Sequence, residues 1–259
     1  LWESDLDDGK NDVKDRGYVK DYSKLKFGGK YNSNVDLIAE DCKYSVVVTG
    51  ENGTADPINA DFEGPVNIDK TNKLWSIDLS KNPNRFTFDN EKEYLYDITV
   101  TLKNSAGTGT NNHKIHVDTK KPVVNISSIS PTTIKKYLNG GSEVERTAVN
   151  GKIKFQGNVD DTALMKVEYE VSYAADGDVL FRKSLGKTYT VNEEINTRSK
   201  YESDGTVAAD GKEILDEHTF IIKLIATDEA GNVGEYDSSE FNKNDPLFID
   251  QSTDAPILM

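Results

Sequence analysis

The 259-residue chain sets 31 Lys+Arg against 45 Asp+Glu, a formal net charge of −14, and only 36% of its residues are hydrophobic. A polyanion of this size is repelled by nucleic acid and by anionic lipid heads, and no stretch approaches the roughly 18 apolar residues of a spanning helix, so neither nucleic acid nor membrane insertion is expected. The length suits two all-β modules, each with its own core, and the single cysteine, Cys42, excludes an internal disulfide.

Along the chain, Asp5, Asp7, Asp8, Asp12 and Asp15 around Gly9 form an acidic run. It lacks the spacing of a calcium loop, so residues 1–16 read as a solvated lead-in or the end of a preceding module. Short alternating runs follow: Val35, Leu37 and Ala39; Tyr44, Val46 and Val48; Trp75, Ile77 and Leu79; then Tyr94, Tyr96, Ile98, Val100 and Leu102. Further on come Ile153, Phe155 and Val159, then Met165, Val167, Tyr169, Val171 and Tyr173, and finally Phe220, Ile222, Leu224 and Ala226. Each run has one apolar and one mostly polar face, as a half-buried antiparallel strand does. Gly28-Gly29, Gly50-Glu51-Asn52-Gly53, Asn139-Gly140-Gly141 and Ala175-Asp176-Gly177 read as turns. No segment of 10–15 residues carries helical periodicity, and the class is all-β.

The pattern repeats. Tyr96, Ile98, Val100 and Leu102 followed by Asn104-Ser105-Ala106-Gly107, then Val117-Asp118 and Pro122, form one copy. Phe220, Ile222, Leu224 and Ala226 followed by Asp228-Glu229-Ala230-Gly231, then Ile249-Asp250 and Pro256, form the other. Gly107 and Gly231 stand 124 positions apart and Asp118 and Asp250 stand 132 apart, so an insertion lies between those landmarks in the second copy. Repeats that share a core face and a junction mark a tandem array. The modules are expected over 17–119 and 120–253, with 254–259 opening a third. Both ends of the sequence read as cut from a longer protein.

The string Ile225-Ala226-Thr227-Asp228-Glu229-Ala230-Gly231-Asn232-Val233, with Ile249-Asp250 and Pro256 after it, resembles the immunoglobulin-like repeats of bacterial surface proteins and adhesins. Val117-Asp118-Thr119-Lys120-Lys121-Pro122 repeats the junction element. The resemblance implies two tandem immunoglobulin-like antiparallel β-sandwich domains in an extracellular, cell-surface setting, with neighbouring modules of the same chain as partners. In such a sandwich the loops after the second and penultimate strands lie at the end where the chain enters. The resemblance therefore implies a junction at which Asp118, Asp160, Asp161 and Asp228 bind Ca²⁺, a cation that takes six to eight oxygen ligands. The plainer reading makes Asp160-Asp161 a turn, Asp228 a loop cap and Asp118 a solvated linker residue. Glu40, Asp41 and Asn104 form a weaker copy in the first module.

Catalytic signals are lacking. His113 and His116 fall on opposite faces of one strand, His218 precedes another, and no metalloprotease, nucleophile-elbow or phosphate-loop motif occurs. Trp75 sits in phase with a core face, and Cys42 reads as a small buried hydrophobe. The polar stretch 192–217 is a long polar insertion that holds most of the second module's excess length. It is the expected contact loop, since long polar loops inside compact domains are functional or disordered. The chain therefore reads as a non-enzymatic structural or adhesive spacer. The alternatives are a module binding host protein or glycan through the loops of its second domain, and an accessory domain of a secreted enzyme.

Overall fold

A computed structural model describes residues 3–4, 17–20, 26–50, 62–79, 92–139, 141–242 and 245–251. The expected lead-in 1–16 apart from residues 3–4, the turn residues 51–53 and 140, and the start of a third module at 254–259 lie outside the described residues. The chain divides into two compact units, one over Leu1–Lys120 with Glu229–Asn232 and one over Lys121–Asp228 with Val233–Met259. Both are all-β sandwiches.

In the first unit the strands are β1 (Glu3–Ser4), β2 (Tyr18–Val19), β3 (Lys26–Lys30), β4 (Lys43–Gly50), β5 (Phe62–Pro65), β6 (Asn67–Asp69), β7 (Leu74–Asp78), β8 (Glu93–Asn104) and β9 (Gly107–Asp118). One sheet runs β1-β3-β7-β6 and the other β2-β9-β8-β4-β5. Alternation along β8 and β4 turns Tyr94, Tyr96, Ile98, Val100, Tyr44, Val46 and Val48 onto Phe27, Trp75 and Ile77 of the facing sheet. Each such buried side chain contributes about 1.5–3 kcal/mol. Two expectations change here. Gly28-Gly29 is strand rather than turn, paired with Ser76 and Trp75, and a Cβ on Gly28 would lie 3.0 Å from the Trp75 carbonyl. The run Val35, Leu37, Ala39 is not a strand: only Leu37 is buried, bridged to Asn104, and a 3-10 turn follows over Ala39–Asp41.

In the second unit the strands are β10 (Val123–Ser130), β11 (Thr133–Asn139), β12 (Ser142–Val149), β13 (Lys152–Asp160), β14 (Leu164–Tyr173), β15 (Val179–Gly186) and β16 (Thr190–Asn196). The short pair β17 (Lys200–Tyr201) and β18 (Lys212–Glu213) follows, then β19 (Thr219–Asp228), β20 (Val233–Asp237), helix α1 (Ser238–Phe241) and β21 (Leu247–Ile249). One sheet is β10-β13-β16; the other runs β11-β12-β21-β19-β14-β15, with β20 also on β19. Ile153, Phe155, Val167, Tyr169, Ile222 and Leu224 fill the space between them.

The two units share a plan. In each, a central strand (β8, β19) pairs antiparallel with a preceding strand (β4, β14) that carries the next edge (β5, β15). In each, the entering chain serves one sheet first (β1, β10) and then crosses to pair in parallel with the last strand of the other. Tyr18 and Val19 meet His116 and Val117 in the first unit; Ala148 and Val149 meet Phe248 and Ile249 in the second. The continuous 12-residue β9 corresponds to β20 and β21, interrupted by α1, which is where the extra residues between Gly231 and Asp250 reside.

Candidate functional site

Each of the four acids expected to hold a cation has a definite local setting. Asp118 ends β9 and is buried; its Oδ1 accepts the Lys120 N–H at 2.8 Å. Asn232, which groups with the first unit, donates its side-chain amide to the Asp118 carbonyl at 2.8 Å, and it too is buried. In the second unit Asp160 ends β13 and is exposed. Asp161 accepts the Ala163 N–H at 2.7 Å and so caps the turn into β14. Asp228 ends β19 opposite Leu164 and is fully buried. Asp160, Asp161 and Asp228 therefore belong to one end of the second sandwich. Among the described residues, no three or more His, Cys, Asp or Glu side chains gather as a metal ion requires.

The weaker copy in the first unit is committed to other partners. Asn104 Oδ1 accepts the N–H groups of Ala106 and Gly107 at 2.8 and 2.9 Å, closing the β8–β9 hairpin, and its amide donates to Ser33 Oγ. Asp41 pairs with Lys103 at 2.9 Å and raises the lysine pKa, while Glu40 is exposed.

The histidines are structural neighbours of rings and carboxylates. His116 Nδ1 lies 2.6 Å from Glu93 Oε1, and its ring stacks on Tyr18. His113 sits edge-on to Phe27, and burial lowers its pKa. His218 Nδ1 donates to the Asp216 carbonyl beside Tyr173. Cys42 is buried, with its thiol directed at the Ile38 carbonyl at 3.3 Å.

The polar stretch 192–217 is built into the sandwich. It includes most of β16 and the β17–β18 pair; Tyr201 stacks on Phe181 at 4.4 Å, and Ile214 is buried. Gly211 lies against the Tyr201 backbone so closely that a Cβ would approach it to 2.5 Å.

One concave feature escaped sequence reasoning, a cavity of about 440 Å³ in the first unit. Trp75, expected as a packing residue, is 6% exposed and does pack, yet it also forms part of this cavity's wall. The glycines that open the cavity carry no periodic signal, so alternation could not reveal it.

No protein-family model matches the chain, and no curated protein matches it. Among solved structures, a 1.5-MDa bacterial ice-binding adhesin overlays at TM-score 0.39 with 15% identity, over 98% of this chain and 66% of that one. Trypsin-activated α2-macroglobulin from Escherichia coli overlays at TM-score 0.29 with 10% identity, over 98% of this chain and 17% of that one. A domain-of-unknown-function protein from Legionella pneumophila overlays at TM-score 0.25 with 12% identity, over 88% and 53%. The chain thus spans less than two thirds of each of these structures, and likenesses this weak say nothing of what it binds or does.

Proposed function

We propose that the chain is a non-enzymatic tether segment of an extracellular surface protein, built to hold its neighbours under tension. One observation carries this reading: in each unit a strand from the entering part of the chain pairs in parallel with the last strand. Force applied at the two ends of such a pair loads its hydrogen bonds together in shear, whereas an antiparallel hairpin pulled from its open end unzips one bond at a time. The repeated core face of β8 and β19 adds support, because an array of like modules is the economical way to build length.

The direct test is single-molecule extension of the whole chain between terminal handles. Two separate high-force steps are expected, releasing on the order of 30 nm for the first unit and 40 nm for the second, from roughly 3.3–3.6 Å per extended residue. Unfolding of both units at forces typical of unzipping hairpins would remove the tether reading.

Calcium stiffening through Asp118, Asp160, Asp161 and Asp228 is a subordinate part of the proposal. Asp160 and Asp161 stand at the turn into β14 and Asp228 opposite its first residue, but these carboxylates form no ready metal cluster among the described residues. A rise in melting temperature specific to calcium over magnesium, reversed by chelator and lost in Asp160→Asn, is the expected result. No shift at millimolar calcium would discard it and leave the tether reading standing.

A further inference from the structure

The cavity in the first unit owes its existence to a gap in the inner face of β9. Ile115 and Val117 are buried and set the odd-numbered residues of that strand as its inward side. Continuing outward along the same side come His113, Asn111 and Gly109. The register places Asn111 opposite Val100 and Gly109 opposite Leu102. Where β8 still offers apolar side chains, β9 thus answers with an amide and a hydrogen atom. A Cβ at Gly109 would meet no atom within 4 Å. The resulting hollow of about 440 Å³ lies within the range of small-ligand pockets, about 300–1,000 Å³.

Its chemistry is divided. Leu37, Trp75, Val100 and Leu102 give an apolar floor, and the Tyr31 ring stands beside it. Around them are Asn32, Ser33, Asn104 and Asn111, neutral amides and a hydroxyl, with β9 passing along the edge at Thr108 and Thr110. Among the described lining residues Lys30 alone is charged, and Lys73 reaches the rim through Ser33. Burial raises the Tyr31 pKa, and Asp36 and Asp69 lie near enough to add to the rise. Part of the rim is fixed in advance: Asn104 donates to Ser33 Oγ at 3.0 Å, and Lys73 Nζ donates to the Ser33 carbonyl at 3.0 Å. Asn32 holds no side-chain hydrogen bond among the described residues, so its amide is available to a ligand.

We propose that this cavity is a binding site for a neutral saccharide. A sugar ring presents a C–H face and a girdle of hydroxyls, which matches an apolar floor beneath an amide and hydroxyl rim. Charges of both signs stand near the rim, Lys30 and Lys73 against Asp36 and Asp69, so neither sign of ligand charge is favoured over a neutral ligand. A purely apolar ligand would cover the rim amides without answering them, which costs free energy. The site is independent of the tether reading, so either can fail alone.

The whole chain is applied to an array carrying neutral, sialylated and sulfated glycans, and the strongest neutral glycan is then titrated against it by ligand-observed NMR. Neutral glycans are expected to bind. Gly109→Leu, which fills the hollow from a position with open space above it, should weaken binding by at least about tenfold while leaving the melting temperature unchanged. Asn32→Ala, an exposed rim change with no fold contact to lose, should weaken the same glycan and provides the result if Gly109→Leu fails to fold. Binding of acidic glycans alone, neutral binding indifferent to both substitutions, or no glycan binding at millimolar concentration would each overturn the site.

Discussion

Two glycines show how differently the same residue type is used. In the second unit a Cβ at Gly234 would stand 1.9 Å from the Pro122 carbonyl oxygen, an approach that only backbone movement relieves. Gly234→Ala is expected to cost about 1–3 kcal/mol or more, as overpacking does, lowering the second sandwich's melting transition by on the order of 5–10 °C. Gly109→Ala meets open space in an extended strand and should leave its transition unchanged or slightly raised, since alanine restricts the unfolded chain. Differential scanning calorimetry on the two variants distinguishes these outcomes, and equal effects would contradict the close approach at Gly234. The four junction acids also separate at this scale. Asp161 is a turn cap, in line with the plainer of the two sequence readings, whereas Asp118 is buried rather than solvated and Asp228 is buried at the end of β19.

At the scale of elements, the parallel pairing of β2 with β9 makes a specific claim about resistance to force. The Gly17 carbonyl accepts the His116 N–H at 2.6 Å, and Val19 stands opposite Val117. Val19→Pro removes a backbone donor from this short pair and disrupts its local geometry. In the extension experiment it should lower the first unit's unfolding force and leave the second unit's force untouched; an unchanged first step would mean that other contacts bear the load. Which elements the sequence disclosed follows from burial. β4, β7, β8, β13, β14 and β19 were legible because one face of each is buried and the other is not, so alternation survives in the residues themselves. The β11–β12 hairpin was not legible: apart from Ala148 and Val149 its described side chains are exposed or half-exposed on both faces, and no period of two develops. Helix α1 is four residues long, too short for a 3.6-residue period, and begins at Asp237, whose carboxylate accepts the N–H groups of Ser239 and Glu240. The cavity was illegible for another reason, since Gly109 shapes it by lacking a side chain and Trp75 reaches it from the facing sheet.

For the whole molecule, the decisive feature is that each sandwich has a core of its own, one around Tyr96, Ile98 and Val100 and the other around Tyr169, Ile222 and Leu224. Ile98 and Leu224 are both fully buried, and the sequence repeat aligns Ile98 with Ile222 and Val100 with Leu224. Truncating a fully buried aliphatic side chain to alanine costs about 2–5 kcal/mol. If the modules fold as separate units, Ile98→Ala should weaken only the first sandwich and Leu224→Ala only the second. The double variant should then lose the sum of the two within about 0.3–0.5 kcal/mol, as distant sites do. Hydrogen exchange resolved by peptide, with calorimetry on the same four proteins, reads both quantities at once. Loss of protection in β14 and β19 on making Ile98→Ala, or a double variant far from additive, would mean that the two cores unfold as one cooperative body. That result would also remove the expectation of two separate steps under force, because a tether of independent modules extends by giving way one core at a time.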